Sequence, residues 1–108
     1  MIDYFNSSTA CYFETEPYSN ILSAIGEGQK NAVHLSELIR ISGMTDRVLR
    51  KTIEYLRRQG IAILSSQNGY YFPADEKELQ EFVNREEHRA KSVFYTLKVA
   101  RQLLKNNT

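Results

Sequence analysis

The sequence predicts a mostly α (α+β) fold, and three observations indicate it. Apolar residues recur at helical spacing over most of the chain from Pro17 onward. Residues 61–65 instead alternate with a period of two and precede Asn68-Gly69, a dipeptide typical of a tight β-hairpin. No glycine or proline interrupts residues 75–104, which favours one long helix there.

The composition is that of an ordinary globular chain: of 108 residues, 42% are hydrophobic and 25% charged, with a net charge of +1. The single cysteine, Cys11, excludes an intramolecular disulfide and offers no zinc-ligand spacing. Because the sequence has neither a membrane-length apolar run nor a signal-peptide pattern, we expect a cytoplasmic protein without membrane contact. It also lacks a nucleophile–base spacing and a phosphate loop, so we expect neither an enzyme nor a bound cofactor or metal.

The first third of the chain predicts an arm and a helix. Residues 1–16 form an aromatic arm that we expect to pack on its own domain or on a partner subunit, through Tyr4, Phe5, Tyr12 and Phe13. Pro17 can open a helix that runs through Ile25 and ends at the glycines that follow.

The next two helices have the spacing of a helix-turn-helix. His34 caps the first, Glu37 can reach back to the capping amide, and Ser42-Gly43 ends it because glycine tolerates the left-handed backbone. Thr45 caps the second helix, at about residues 45–59. Its core-facing side is predicted to comprise Leu49, Ile53 and Leu56.

A hairpin is predicted to follow the second helix. Ile61 and Ile63 share one face of its first strand, and Asn68-Gly69 suits a type I′ turn, which would place Phe72 beside Ile63 on the inner face. Residues 17–73 therefore predict a winged helix-turn-helix domain with a two-stranded wing.

Residues 74–108 predict a long C-terminal helix, capped by Asp75 with Glu78 at its third position. We expect it to be continuous, although the polar block at 86–89 also allows a bend. Its apolar stripe favours a homodimer, antiparallel or coiled, with half-sites about one DNA turn apart. The predicted dimerisation residues are Ala90, Val93, Phe94, Leu97, Ala100 and Leu104.

Several segments carry a family resemblance: Leu-Ser-Glu-Leu at 35–38, Arg-Val-Leu-Arg-Lys at 47–51, Gly-Ile-Ala-Ile-Leu-Ser at 60–65 and Gly-Tyr-Tyr-Phe at 69–72. With these, the chain resembles small winged-helix DNA-binding proteins of phages and prophages of Gram-positive bacteria. The resemblance covers roughly the last two thirds of the chain, and the aromatic arm has no counterpart in it. It implies a transcription regulator or a replication-associated factor.

The distribution of charge favours double-stranded DNA as the partner. Residues 34–73 carry six basic and three acidic side chains, whereas residues 1–33 carry one basic and four acidic ones. On the second helix we expect Arg47 or Arg50 to pair with a guanine edge, and Asp46 to accept from a cytosine or to orient Arg50. The predicted DNA-binding residues are Thr45, Asp46, Arg47, Val48, Arg50, Lys51, Arg58, Ser66, Gln67, Asn68 and Tyr70.

An alternative stays open. The net charge near zero, the acidic first third and a hairpin tip without Lys or Arg also fit a winged-helix module for protein interaction or assembly that does not bind DNA. A recognition face of mixed charge would favour this alternative. Arg57 and Arg58 are expected to be phosphate clamps or intramolecular partners.

Overall fold

Four α-helices and one small sheet make up the computed structural model, which describes residues 7–107. The helices are α1 (Tyr18–Ala24), α2 (Leu35–Ser42), α3 (Asp46–Arg58) and α4 (Glu76–Asn106). The strands are β1 (Gly26–Glu27), β2 (Leu64–Ser66) and β3 (Gly69–Phe72), and 3-10 segments cover Ser7–Phe13 and Gln29–Asn31. The described chain is thus mostly helical with a minor sheet, as the α+β prediction requires.

The described part of the aromatic arm packs on the domain. Tyr12 and Phe13 are half-buried against the hydrophobic core, whereas Tyr4 and Phe5 lie outside the described residues. Helix α1 begins directly after Pro17, as predicted, and buries Ile21 and Leu22.

Helices α2 and α3 follow the predicted capping pattern. His34 Nδ1 accepts from the amide two residues later, and Thr45 Oγ1 from the amide three residues later, each at 3.3 Å. Gly43 ends α2 with φ 72°, in the left-handed region. One detail was predicted wrongly: the Glu37 carboxylate binds the guanidinium of Arg40, one turn along, because a charged partner at that spacing competes successfully with an amide.

The sheet contains the predicted hairpin and one strand more than expected. β3 is central, with β2 antiparallel on one side and β1 parallel on the other. The two-stranded wing was predicted as a separate hairpin, whereas β2 and β3 share their sheet with β1. Strand β1 has only two residues, Gly26 and Glu27, which gives no alternation for a sequence pattern to detect.

The turn of the hairpin also differs from the prediction. Ser66 pairs with Gly69, so Gln67 and Asn68 form the loop, and within residues 7–107 only glycines have positive φ. The type I′ turn at Asn68-Gly69 was therefore wrong, and so was the pairing derived from it, because Ser65 pairs with Tyr70 and not with Phe72. A shift of two residues keeps each side chain on its face, so Phe72 still packs against the core that contains Ile63. A Cβ on Gly69, which has φ 122°, would lie 2.2 Å from the Val33 carbonyl oxygen, so this glycine is needed for a close backbone approach.

The core lies between the first three helices and the base of the hairpin. Ile63 is buried as predicted, although its strand begins only at Leu64. Phe72 packs half-buried against the core, whereas Tyr71 is fully buried opposite its cross-strand partner Leu64. Because successive strand residues point to opposite faces, both faces of the hairpin base are covered. The buried core residues are Ile21, Leu22, Ile25, Leu38, Leu49, Ile53, Leu56, Ile61 and Ile63.

Helix α4 is continuous over 31 residues, or about 46 Å at 1.5 Å per residue. Asp75 caps it as predicted, accepting from the Glu78 amide at 2.9 Å, and the central polar block does not interrupt it. Its first part contacts β2, where the Arg85 guanidinium donates to the Ser65 carbonyl at 2.7 Å. Every residue from 87 to 107 is exposed, so the second half of α4 projects away from the rest of the described chain.

Candidate nucleic-acid interface

Helix α3 has one buried side and one open side. Leu49, Ile53 and Leu56 are at most 1% exposed and hold the helix on the core. The predicted DNA-binding residues at its capping position and on its outer side are all exposed: Thr45, Asp46, Arg47, Val48, Arg50, Lys51 and Arg58. A second macromolecule can therefore reach this surface along the whole helix.

Two of the four cations on this surface are held by carboxylates of the same helix. Asp46 pairs with Arg50, which raises the pKa of Arg50, and Glu54 pairs with Arg58 at 2.7 Å. Asp46 is thus in contact with Arg50, as one of the two roles expected for Asp46 requires. Arg47 and Lys51 form no ion pair with any described residue, so the outer face carries mixed charge with a positive excess.

A polar groove separates α3 from the hairpin. The groove brings Arg50 together with three of the four hairpin residues predicted to bind DNA, namely Ser66, Gln67 and Tyr70. The fourth, Asn68, does not line it. The backbone N–H of Asn68 donates to Ser66 Oγ at 3.1 Å, which stiffens the loop. The lining residues are His34, Leu35, Arg50, Ser65, Ser66, Gln67, Gly69 and Tyr70.

Arg57 ties α3, the hairpin and α4 together. Its Nε donates to the Ile63 carbonyl at 2.6 Å, and a terminal nitrogen donates to Ser65 Oγ at 3.1 Å. The guanidinium carbon lies 5.9 Å from the ring centre of Tyr70 and 5.6 Å from that of Phe82. Burial lowers the pKa of Arg57. The sequence led us to expect Arg57 either as a phosphate clamp or as an intramolecular partner, and its contacts are intramolecular.

An aromatic cluster lies on the other flank of α3. The hydroxyls of Tyr12 and Tyr55 are 2.7 Å apart, and the Tyr18 ring stacks on Tyr55 with centres 6.1 Å apart. The bond to Tyr55 raises the pKa of Tyr12 to about 12. An open groove beside this cluster is lined by Tyr18, Val48, Lys51, Thr52 and Tyr55.

Sequence reasoning missed this second groove, although part of its signal was present. Val48, Lys51, Thr52 and Tyr55 follow the spacing of one helix face, so their adjacency could have been read from the sequence. Their meeting with Tyr18 could not, because it depends on how α1 packs against α3.

The predicted dimerisation residues lie together on the projecting half of α4. All six are exposed: Ala90, Val93, Phe94, Leu97, Ala100 and Leu104. The exposed fraction is 53% for Val93, 41% for Leu97 and 70% for Leu104, which is high for apolar side chains of a folded chain.

Within residues 7–107, no group of three His, Cys, Asp or Glu side chains is placed to hold a metal ion. Among the same residues, no helix is both long and apolar enough to span a membrane. Comparisons with models of protein families, with curated proteins and with solved structures each gave no match.

Proposed function

We propose that this chain is a winged helix-turn-helix protein that binds double-stranded DNA through α3. The observation that carries the proposal is the uncovered outer side of α3, whose start presents Arg47, Val48 and Lys51. An α-helix with its side chains is about 10–12 Å wide, which matches a major groove about 12 Å wide. The order of helices, turn and hairpin supports the same proposal.

The start of α3 is the part proposed to read base edges. Arg47 and Arg50 carry planar guanidinium groups that can donate two parallel hydrogen bonds to a guanine. Arg50 must exchange its bond to Asp46 for that contact, so its contribution depends on the base it meets. Lys51, which has no carboxylate partner among the described residues, is proposed to contact phosphate.

The hairpin is proposed to contribute less than α3. Ser66, Gln67, Asn68 and Tyr70 offer neutral donors, and no Lys or Arg lies at the tip. Neutral donors position a protein on the sugar-phosphate backbone but neutralise no phosphate charge. Arg50 and Tyr70 line the groove between α3 and the hairpin, and we propose that one backbone strand is contacted there from both sides.

The cellular role follows from the family resemblance and is proposed on that basis. The chain is a phage-related transcription regulator or a replication-associated factor, and it acts as a homodimer through the exposed stripe of α4. A dimer would present two copies of α3 to DNA, which fits either role.

Fluorescence anisotropy with a labelled duplex, at about 50 mM and about 200 mM salt, tests the proposal. We expect binding at the lower salt concentration, a loss at the higher one, and weaker binding by K51A. The control is K77A, because Lys77 is an exposed lysine in the first turn of α4. Absence of binding at the lower salt concentration would refute the proposal.

Two arginine variants separate base reading from phosphate contact. R50A should weaken binding to a selected sequence more than to random DNA, whereas R58A should weaken both alike. Equal losses from both substitutions would contradict the assigned roles.

A second candidate is supported by the mixed charge on α3. With Asp46 and Glu54 among the basic residues, the same face also suits a protein partner with both signs of charge. This candidate, an interaction or assembly module, predicts no salt-dependent binding to any duplex. The anisotropy experiment therefore distinguishes the two.

A further inference from the structure

We propose that the projecting half of α4 pairs with the same segment of a second copy in an antiparallel arrangement, and that this pairing holds the two DNA-binding bodies far apart. The projecting segment is residues 88–106. It carries an apolar stripe with steps of three and four residues: Ala90, Val93, Leu97, Ala100 and Leu104. That spacing is the seam of a two-helix coiled coil, in which each helix fills the gaps of the other.

The exposed residues show that the seam has no cover within the described chain. The exposed fraction is 70% for Leu104 and 59% for Leu103, and Phe94, one position from the stripe, is 71% exposed. Contact between α4 and the sheet is made by its first half, through residues such as Arg85. A second copy supplies a helix of the same length and spacing, which makes it the matching occupant.

The charges of the segment decide the direction. Residues 88–106 carry five basic side chains and no acidic one, whereas residues 76–87 carry five acidic and two basic ones. A parallel pair would set the basic segment of each helix level with its own copy, so two positively charged segments would lie side by side. An antiparallel pair crossing near Leu97 instead brings the basic end of each helix, at Lys105, within about one helical turn of Glu86 and Glu87 of the partner subunit.

Helix dipoles favour the same direction. Each helix end carries a partial charge, positive at the N-terminus and negative at the C-terminus. In an antiparallel pair, opposite ends approach each other. The side-chain volumes also favour the antiparallel direction. In a parallel pair, Ala100 would face the Ala100 of the partner subunit across the seam, whereas an antiparallel crossing near Leu97 removes that contact between two small side chains.

The length of α4 then sets the distance between the two bodies. With the crossing near Leu97, the two copies of Lys77 lie about 60 Å apart, at 1.5 Å per residue along the axis. Half-sites one helical turn apart are separated by only about 34–36 Å. Under the proposed function, the dimer therefore suits two sites more than one turn apart, or two separate duplex segments.

Distance measurement between spin labels tests the arrangement without DNA. The label is attached to K77C in a C11S background, since Cys11 is the only cysteine and is exposed. We expect a distance distribution centred near 60 Å, whereas a parallel pair would give less than about 25 Å from the same helix geometry. A short distance, or no interaction between labels, would overturn the proposal.

Two charge substitutions test the seam itself by sedimentation equilibrium. L97E should shift the protein from dimer to monomer while its circular dichroism stays helical. Q102E adds the same charge on the opposite side of the helix and should stay dimeric. A dimeric L97E would overturn the proposal, and so would a monomeric wild type that instead partitions onto anionic vesicles.

The antiparallel pairing deepens the homodimer of the proposed function, and only the spacing of the DNA sites rests on DNA binding, so the pairing and DNA binding can fail separately. A long distance in a protein that binds no duplex would leave the antiparallel dimer standing and refute DNA binding. A short distance in a protein that binds duplex would do the reverse.

Discussion

Replacing Arg57 by alanine should destabilise the fold, because its half-buried guanidinium contacts three elements, α3, the hairpin and α4. It donates to the Ile63 carbonyl at 2.6 Å and to Ser65 Oγ at 3.1 Å. It also lies within 6 Å of the ring centres of Tyr70, at 5.9 Å, and Phe82, at 5.6 Å. Removal breaks the contact of α3 with the hairpin and with α4 together.

The expected loss follows from those contacts. A hydrogen bond from a charged donor contributes about 1.5–3 kcal/mol, and a cation–π contact about 0.5–1 kcal/mol. Burial of the guanidinium, which lowers the pKa of Arg57, opposes these gains, and contacts to one group are not additive. We expect a net loss of about 2–3 kcal/mol, since the Ile63 carbonyl loses a donor. For a domain of this size the melting temperature should fall by about 10–20 °C.

Thermal unfolding followed by circular dichroism measures the effect, with R58A as the matched control. The Arg58 side chain is 76% exposed, and among residues 7–107 its one ion pair is with Glu54, on its own helix. Exposed pairs at this spacing contribute about 0.3–0.5 kcal/mol, so R58A should change the melting temperature little. R57K keeps the positive charge but loses the planar guanidinium with its several donors, so its melting temperature should lie near that of R57A. Equal melting temperatures for R57A and R58A would refute the role given to Arg57.

Three other substitutions test separate parts of the structure. G69A should cost about 2–4 kcal/mol in urea unfolding, because its Cβ would meet a backbone carbonyl oxygen at 2.2 Å; G43A, with φ 72° and open space, should cost only about 1 kcal/mol. D46N should strengthen binding to random duplex and steepen its salt slope by about 0.9 in anisotropy titrations, and an unchanged slope would contradict the role of the ion pair. Y55F should lower the pKa of Tyr12 from about 12 toward 10.0, as measured by the NMR shift of its ring carbon. The stability from that hydrogen bond is present below pH 10 and is lost as the pH rises to about 12, so wild type and Y55F should converge in stability at high pH.

The features that the sequence predicted well depend on neighbours within a few residues. The caps at His34, Thr45 and Asp75 and the turn at Gly43 each use contacts at most four residues apart. Continuity of α4 follows equally from the local absence of glycine and proline. Such contacts can be recognised from spacing alone.

The features that it predicted badly depend on distant partners. Gly69 was interpreted as a turn residue, but the backbone group that lies against it is the carbonyl of Val33, far away in the sequence. Val33 is held there because it exchanges backbone hydrogen bonds with Tyr70 at 2.8 and 2.9 Å. Strand β1 exists because Gly26 and Glu27 lie beside β3, not because of their own propensity. Likewise, nothing in the sequence next to Tyr12 indicates that its hydroxyl meets Tyr55.

Under the proposed function, the ion pairs on α3 make the salt dependence of binding report which arginines engage DNA. If Arg47, Lys51 and Arg58 engage DNA on any sequence, log K should fall against log salt with a slope of about −2.7 per subunit, at about −0.9 per contact. If Arg50 also leaves Asp46 on a selected sequence, the slope there should approach about −3.6. Breaking the ion pair between an arginine and its carboxylate costs free energy. A well-placed base edge can offset this cost, whereas a random sequence cannot, so the carboxylates on α3 should weaken binding to random DNA most. A steeper slope on a selected sequence than on random DNA would support this reading, whereas identical slopes would contradict it.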